Sequence, residues 1–205
     1  MSGTRASRLA PIPVEQWGDD ARDALRGWLH DGADMFLADG PGARRVPNVL
    51  GALMHHPRLA GPWLAYNDVL LNTPALDARL RELAILRVAW RARSDYEWLQ
   101  HVRMARQVGI TAQEVEAIAG VADTEPWTPL QSDLLAATDQ LIDRFCIDDT
   151  TWARLAGQLD ARQLVELVFV VGSYTCLAMA FNSFGLELDP DLDPGSAPAI
   201  PAPEE

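Results

Sequence analysis

Four polar side chains able to exchange protons or bind a polar substrate lie near the middle of the sequence. Glu97 and His101 are four residues apart, so on a helix they project from one face, about 40° from each other. Ser94 lies one turn before Glu97, and Glu82 lies further upstream. A carboxylate beside a histidine fixes the imidazole tautomer, and two carboxylates crowded into a dry site push their pKa values apart. The spacing therefore indicates general acid–base chemistry near neutral pH.

Two predicted helices have to position these residues. Residues 77–92 carry a broad apolar face and contain Glu82, while residues 94–108 contain Glu97 and His101. Ser94 is expected to cap the second helix through an S-x-x-E capping box. Because the connection is short, the helices should pack as an antiparallel hairpin that brings Glu82 near His101. The alternative interpretation is that Glu97 only caps its helix and His101 is an ordinary helical histidine.

Helical patterns also cover most of the remaining chain, and no segment shows sustained alternation of β-branched residues. The sequence therefore predicts an all-α fold. Further helices are expected at 15–30, 49–54, 59–71, 111–119, 130–145 and 150–159, with one or two more in 161–184 and a loop at 40–47. The predicted organisation is an N-terminal arm and first helix at 1–45, a helical domain at 46–188, and a flexible acidic tail at 189–205.

The charge of the chain excludes several classes of function. The formal net charge is −12, and such a surface repels phosphate backbones and anionic membranes, so we expect no nucleic-acid partner and no membrane partner. The chain has no lysine, which excludes Schiff-base catalysis and a P-loop nucleotide site.

The terminal segment and the cysteines suggest a reduced compartment. The N-terminus lacks the apolar core of a signal peptide. The sequence contains no run of about 20 apolar residues, so we expect no membrane span. Cys146 and Cys176 do not form a CxxC pair, and both are predicted to be buried inert thiols. The alternative is a relocated redox pair. We expect a cytoplasmic protein.

Several short segments between residues 46 and 120 form a recognisable pattern. They are Pro47-Asn48-Val49, His55-His56-Pro57, residues 80–89 (LRELAILRVA), Tyr96-Glu97-Trp98, His101 and Gly109-Ile110-Thr111. This pattern resembles the carboxymuconolactone decarboxylase/AhpD-like family. The resemblance implies an AhpD-like helical bundle built around the antiparallel hairpin. It also implies a homo-oligomer, as a dimer, trimer or hexamer, and a small-molecule substrate handled without cofactor or metal.

The resemblance also separates two branches of chemistry. Redox members carry a glutamate, then C-x-x-C, then a histidine four residues after the second cysteine. Glu82 and His101 match that glutamate and histidine, whereas Ser94 and Glu97 stand where the cysteines would be. Disulfide exchange requires a thiolate at that place. The resemblance therefore points to the decarboxylase branch, with Glu82, Glu97 and His101 as the catalytic residues.

Five further residues are candidates for substrate binding. Arg87 could clamp a substrate carboxylate with two hydrogen bonds. Tyr66 and Tyr96 could line an apolar pocket. Ser94 adjoins the catalytic residues, and His55 could either reach the pocket or cap a carbonyl. Each also has an ordinary structural interpretation, as an ion pair, a core residue or a helix cap.

Three functions remain open at this point. The first is a cofactor-independent lyase, decarboxylase or isomerase acting on a small organic acid, lactone or related carbonyl compound. The second is a thiol-dependent peroxidase of the redox branch. The third is a non-catalytic helical oligomer. Glu82, Glu97 and His101 could chemically bind a transition metal, but nothing else in the sequence supports a metal site and we expect none.

Overall fold

The computed structural model describes residues 7–38, 44–123 and 126–201. Within these ranges the chain is helical and contains no strand, so the all-α prediction is confirmed. The predicted loop at 40–47 lies partly outside the described residues, as do the first six residues of the predicted arm and the last four of the predicted tail.

The helices follow the predicted pattern to within a few residues. The exception is the predicted helix 15–30, which divides into a 3-10 turn and a shorter α-helix because Gly18 adopts an extended backbone at the helix start. The α-helices are α1 Asp19–Leu29, α2 Asp34–Leu37, α3 Asn48–Leu53, α4 Pro57–Asn72, α5 Ala78–Arg91, α6 Asp95–Gln107, α7 Ala112–Ile118, α8 Pro129–Arg144, α9 Asp149–Ala156 and α10 Ala161–Phe184, and the 3-10 helices are Val14–Gln16, His30–Ala33 and Pro194–Ser196.

The chain divides into two compact units. The first comprises Met1–Thr73 and Ser183–Asp189, and the second comprises Pro74–Asn182 and Pro190–Glu205. The predicted segment boundaries, after residue 45 and after residue 188, both fall inside the first unit. The catalytic candidates all belong to the second unit.

The first unit is built on the packing of α1 against α4. Its core contains Trp17 and Leu25, and the Trp17 indole donates to the carbonyl of Ile12 at 2.9 Å. The segment before α1 lies so close to α3 that a Cβ at Gly51 would sit 2.8 Å from the side chain of Pro11. Only glycine fits that approach.

The second unit is organised around α5, which packs against α6 and α8. Asp77 begins α5 by accepting hydrogen bonds from the backbone N–H groups of Arg79 and Leu80, as an N-cap residue should. The connection to α6 turns at Arg93, whose φ of 53° is left-handed. Two helices joined by so short a turn form the antiparallel hairpin that the sequence predicts.

The segment after α10 is packed, whereas its composition predicts a flexible tail. The Trp98 indole donates to the carbonyl of Pro198 at 3.0 Å, and Arg106 donates to the carbonyl of Ser196 at 2.5 Å. Leu192 is buried, and Asp189 accepts from Arg45 at 2.7 Å. The prediction of a flexible tail is therefore wrong for residues 189–201, because apolar and backbone contacts outweigh the Pro- and Asp-rich composition.

Helix α10 is the one described helix long and apolar enough to cross a membrane by length and composition. Half of its most apolar 18-residue window is buried within the protein, with Leu167 and Val170 fully covered. A core helix meets the same criterion, and α10 supplies core side chains to the second unit.

Candidate active site

The hairpin brings Glu82 of α5 and His101 of α6 into direct contact. Glu82 Oε2 lies 2.8 Å from His101 Nδ1. Glu82 is 1% exposed and His101 is 7% exposed, so their hydrogen bond is shielded from water. In this environment it is stronger than it would be at the surface.

Glu82 carries a negative charge in this contact. Burial alone would raise the pKa of its carboxyl group, but His101 and the adjacent Arg81 together outweigh burial and lower the pKa. Arg81 donates to Glu82 Oε1 at 3.3 Å. Because an ionised carboxylate can only accept hydrogen bonds, Nδ1 of His101 must carry the proton. In the neutral imidazole, Nε2 is then the basic nitrogen.

Glu97 lies one helical turn before His101 and has the opposite charge state. It is 1% exposed, and among the described residues neither carboxyl oxygen has a hydrogen-bond partner. Burial raises the pKa of this carboxyl well above its usual value, since nothing compensates the lost hydration of a charged form. The surroundings of Glu97 therefore favour its neutral form, which carries a proton that it can donate.

Ser94 precedes α6 as its N-cap residue but does not cap it. Its side chain makes no cap hydrogen bond, and within the described chain its fully buried hydroxyl has no partner. The capping box predicted for Ser94 and Glu97 is therefore wrong, because both side chains turn into the protein. The similar motif at Thr111 and Glu114 does form a capping box.

Tyr174 of α10 completes the surroundings of His101. The two rings meet edge to face, with centroids 4.9 Å apart and planes at 89°. Burial raises the pKa of the Tyr174 phenol strongly, and the Glu82 and Glu97 carboxyl groups raise it further. The phenol therefore remains protonated. The sequence analysis did not single out Tyr174, although a tyrosine inside so apolar a helix is a recognisable signal.

Arg87 is committed to a structural contact. Its Nε and Nη2 atoms donate to the two carboxylate oxygens of Asp139 at 2.8 Å each, and Nη1 donates to the carbonyl of Ile118 at 3.0 Å. A substrate carboxylate would have to displace Asp139 to bind there. We therefore correct the prediction for Arg87 and assign it to the joining of α5 and α8.

The other predicted substrate-binding residues have ordinary contacts. Tyr96 is buried with its ring edge-on to Phe181 at 5.2 Å, and its hydroxyl accepts from Gln100 at 3.2 Å. His55 binds the carbonyl of Ala10 through Nε2 at 2.8 Å, which is the capping alternative. Tyr66 lies on α4 and, like His55, belongs to the first unit. Substrate contacts of these residues stay predictions.

Both cysteines are free and exposed, so the prediction that they are buried is wrong. Cys146 follows the end of α8, where Phe145 adopts a left-handed φ of 58° that turns the chain outward. Cys176 lies on the outer side of α10. Neither thiol lies on α6 beside His101.

The three candidate catalytic residues have little contact with solvent. Glu82, Glu97 and His101 are almost fully buried, and His101 is the most exposed of the three. A cavity of about 540 Å³ lies in the first unit, and its lining includes Arg22 and Phe36. None of the predicted site residues lines it. Among the described residues, no cluster of three or more His, Cys, Asp or Glu side chains could hold a metal ion.

Solved structures with the same fold include two uncharacterized peroxidase-related proteins. An uncharacterized peroxidase-related protein with an AhpD core from Ralstonia eutropha JMP134 is 15% identical and matches 91% of this chain and 94% of its own, with a TM-score of 0.72. An uncharacterized peroxidase-related protein from Silicibacter sp. TM1040 is 17% identical, with coverage of 94% and 97% and a TM-score of 0.70.

A third similar structure is an enzyme of different activity. The debrominase Bmp8, solved as a variant in complex with 2,3,4-tribromopyrrole, is 11% identical and matches 89% of this chain and 91% of its own, with a TM-score of 0.68. At these identities the likeness establishes the fold alone. No protein of curated function is significantly similar in sequence.

The sequence match places the hairpin inside a recognised family. Residues 57–140 match the profile of the carboxymuconolactone decarboxylase family. This range includes α5 and α6 and hence Glu82, Ser94, Glu97 and His101. Residues 57–140 thus resemble the carboxymuconolactone decarboxylase family, and the chain has the all-helical fold of AhpD-like proteins.

Proposed function

We propose that the protein is a cofactor-independent acid–base enzyme, of the lyase, decarboxylase or isomerase type. Its substrate would be a small organic acid, lactone or related carbonyl compound. The observation that carries the proposal is a base and an acid side by side. His101 has its tautomer fixed by ionised Glu82 at 2.8 Å, and Glu97 one turn away keeps its proton because it is buried.

The proposed reaction begins with removal of a proton next to a substrate carbonyl. His101 Nε2 takes the proton from the carbon, and the C–H electron pair moves into the carbonyl group. Glu97 gives its proton to the carbonyl oxygen, which yields an enol. The imidazolium formed on His101 balances the new charge on Glu97, and Glu82 stabilises that imidazolium.

The second half of the reaction decides between isomerase and lyase. In an isomerase, His101 returns its proton to a different carbon, and Glu97 recovers its proton from the enol oxygen. In a decarboxylase, the bond to a carboxylate breaks instead of the C–H bond and carbon dioxide leaves. His101 enters this reaction with a proton on Nε2 taken from solvent, and it gives that proton to the carbon while the enol oxygen returns its proton to Glu97.

The polar atoms of Ser94 and Glu97 suggest which group of the substrate binds there. Both side chains are buried, and among the described residues they lack hydrogen-bond partners. A substrate carbonyl can accept a hydrogen bond from each of them, which would relieve the penalty for two unsatisfied buried groups. A substrate carboxylate in place of the carbonyl would be repelled by the negative charge of Glu82.

Deuterium exchange on simple carbonyl compounds tests the proposal, because proton abstraction is common to all the candidate substrates. A panel of lactones, keto acids and ketones is incubated with the protein in D₂O, and loss of the carbon-bound proton signal is followed by NMR. Wild type should catalyse exchange on at least one compound class. His101→Ala and Glu97→Gln should each lower the rate by about 10²-fold to 10⁴-fold.

The matched control is His56→Ala, because His56 is an exposed histidine outside the site. It should retain the wild-type rate. Equal rates in wild type and His101→Ala would refute the assignment. Absence of exchange and of any bond cleavage across the panel would favour a non-catalytic helical protein.

The thiol-dependent alternative gains no support from the positions of the cysteines. Peroxide consumption with a dithiol donor, compared between wild type and a Cys146→Ser/Cys176→Ser variant, provides the test. A loss of wild-type peroxidase activity in that variant would replace the acid–base proposal with a redox one.

The remaining expectations complete the proposal. We propose that the protein acts in the cytoplasm on a small molecule and has neither nucleic-acid nor membrane partners. The net charge of −12 supports the latter two expectations.

A further inference from the structure

The first unit contains a cavity that none of the candidate catalytic residues lines. Its volume of about 540 Å³ is within the range of pockets that hold small organic ligands. Much of its wall is apolar, and the apolar side chains include Ile12, Val14, Phe36, Leu37 and Val46. Such a wall favours the hydrocarbon part of a ligand, because binding removes apolar surface from water.

Arginine dominates the charged part of the lining. Arg22, Arg44 and Arg45 line the cavity, and Glu15 is the one acidic residue among the described lining residues. Arg45 is neutralised, because it donates to the carboxylate of Asp189 at 2.7 Å. Within residues 7–38, 44–123 and 126–201, neither Arg22 nor Arg44 forms an ion pair. In a chain of net charge −12, two arginines without a carboxylate partner favour an anionic ligand.

The backbone holds the guanidinium group of Arg22 in place. Its Nε atom donates to the carbonyl of Trp17 and its Nη2 atom donates to the carbonyl of Val14, both at 3.2 Å. These bonds fix the group without neutralising its charge, since the acceptors are neutral carbonyls. In the part of the chain that the structure describes, Nη1 has no hydrogen-bond partner. A guanidinium fixed in this way loses little conformational entropy when it binds a carboxylate.

The wall formed by the segment before α1 is tied down on two sides. The backbone N–H of Ile12 donates to the carbonyl of Gly51 at 3.1 Å, and the carbonyl of Ile12 accepts from the Trp17 indole at 2.9 Å. Gly51 also lines the cavity and packs against Pro11, with no room for a Cβ atom between them. The cavity is therefore formed before any ligand arrives, as is usual for small-molecule sites.

We propose that this cavity binds a small monocarboxylate with an apolar body. The carboxylate accepts a hydrogen bond from Nη1 of Arg22 and is attracted by Arg44, and the apolar body lies against the wall that contains Phe36. The site is separate from the proposed acid–base function, because all of its described lining residues belong to the first unit. Arg44→Gln should therefore retain the wild-type rate of deuterium exchange, and either proposal can fail without the other.

Isothermal titration calorimetry of the full chain with octanoate tests the site. Wild type should show saturable binding with a dissociation constant on the order of 0.1–1 mM, as expected for a ligand of this size. Octanamide has the same shape without the charge, and octylammonium has the opposite charge. Each should bind at least about 10-fold more weakly than octanoate. Equal affinities for the three compounds, or no saturable binding of octanoate, would overturn the proposal.

Substitution of Arg22 tests its contact with the carboxylate. Arg22→Met should weaken octanoate binding by about 10-fold to 100-fold, because it removes a charge-assisted hydrogen bond. The matched control is Arg26→Met, which removes the same charge from the same helix, four residues later. Arg26 donates to Asp23 at 3.2 Å and does not line the cavity, so this variant should bind octanoate like wild type.

A second variant keeps the test valid if the loss of the Arg22 hydrogen bonds unfolds the first unit. Arg44 is exposed, so Arg44→Gln should fold normally, which circular dichroism can verify. It should weaken octanoate binding by up to about 5-fold, the effect of an exposed charge. Octanoate affinity that is unchanged in Arg44→Gln and in folded Arg22→Met would overturn the proposal, because the arginines would then not bind the carboxylate.

The indole N–H of Trp17 reports where octanoate binds, because it donates to the carbonyl of Ile12, which lines the cavity. Its signal in a ¹H–¹⁵N NMR spectrum is identified by its loss in Trp17→Phe. This signal should shift as octanoate is added to wild type, whereas the signal of Trp152 on α9 should not. A titration that shifts the indole signal of Trp98, next to Glu97, and leaves that of Trp17 unmoved would overturn the proposal.

Discussion

At the scale of single residues, Glu82 and Glu97 show how partners decide the charge of a buried carboxyl group. Both are 1% exposed, so both lose nearly all contact with water. Glu82 has His101 and Arg81 beside it and is ionised, whereas Glu97 has no such partner among the described residues and is protonated. The partners of two identical side chains thereby favour two different protonation states, as the proposed acid–base function requires.

The raised pKa of Glu97 predicts a stability that falls as the pH rises. In the unfolded chain the carboxyl loses its proton near pH 4.5, whereas in the folded chain it keeps the proton to a much higher pH. Above the unfolded pKa the folded state thus binds more protons, and its stability declines toward the folded pKa. Glu97→Gln removes this penalty.

Thermal unfolding of wild type and Glu97→Gln across pH provides the measurement. The two should unfold at similar temperatures near about pH 4, and the variant should be the more stable near about pH 8. A difference that does not change with pH would contradict the protonated state of Glu97.

The lowered pKa of Glu82 predicts the opposite dependence. Its contribution to stability is present above the unfolded pKa near 4.5 and is lost as the pH falls through the lower folded pKa. Glu82→Gln should therefore be less stable than wild type near neutral pH, and the difference should shrink in acid.

The same variant should lose activity, because an amide no longer fixes the protonated Nδ1 of His101. We expect a decrease of about 10²-fold or more in deuterium exchange. Glu116→Gln, which changes an exposed glutamate of α7, is the control and should match wild type in both assays. Retained activity in Glu82→Gln would show that Glu82 is not needed to position His101.

At the scale of secondary-structure elements, the sequence was most informative where the pattern is local. The apolar face of α5 and the short turn before α6 predict the hairpin, and the hairpin predicts the contact between Glu82 and His101. The side-chain direction of Ser94 was not predictable, because a serine before a helix ordinarily caps it. Tyr174 and the packed segment after α10 depend on contacts between residues far apart in sequence, which helical periodicity does not encode.

The joint between α5 and α8 provides a prediction at this scale. Asp139 accepts from Arg87 through both oxygens at 2.8 Å and from Arg91 at 2.7 Å. Asp139→Ala leaves two partly buried arginines without their carboxylate. We expect the free energy of unfolding to fall by about 1–2 kcal/mol, within the range for hydrogen bonds to charged groups after solvent screening.

Urea denaturation of Asp139→Ala measures this loss. Asp143→Ala is the matched control, because Asp143 accepts one hydrogen bond from Arg91 and has a side chain that is 53% exposed. Its loss should stay below about 0.5 kcal/mol. Equal effects of the two substitutions would contradict the assignment of Asp139 as the joining residue.

At the scale of the whole molecule, one backbone accommodates different chemistry. Structures only 15% and 11% identical share this fold with TM-scores of 0.72 and 0.68, and one of them is a debrominase. The apolar pattern of the helices is sufficient to specify such a bundle, but the fold alone does not determine the reaction. The sequence therefore predicted the fold more fully than the substrate.

The packed C-terminal segment predicts that the whole chain is needed for full stability. Removal of the residues after Asp189 would take away Leu192 and the carbonyl groups that bind Trp98 and Arg106. We expect a decrease of about 3–10 °C in the melting temperature, as a loss of a few kcal/mol produces in a chain of this size. Differential scanning calorimetry measures it, and an unchanged melting temperature would indicate a flexible tail.

The central claim is that Glu97 is a neutral acid one helical turn from His101, whose partner Glu82 is ionised. The infrared difference spectrum between wild type and Glu97→Gln at pH 7 tests it most directly. We predict that wild type shows the carbonyl stretch of a protonated carboxylic acid and that Glu97→Gln lacks it. If Glu97→Gln instead lacks a carboxylate band that wild type shows, Glu97 is ionised and the account is contradicted.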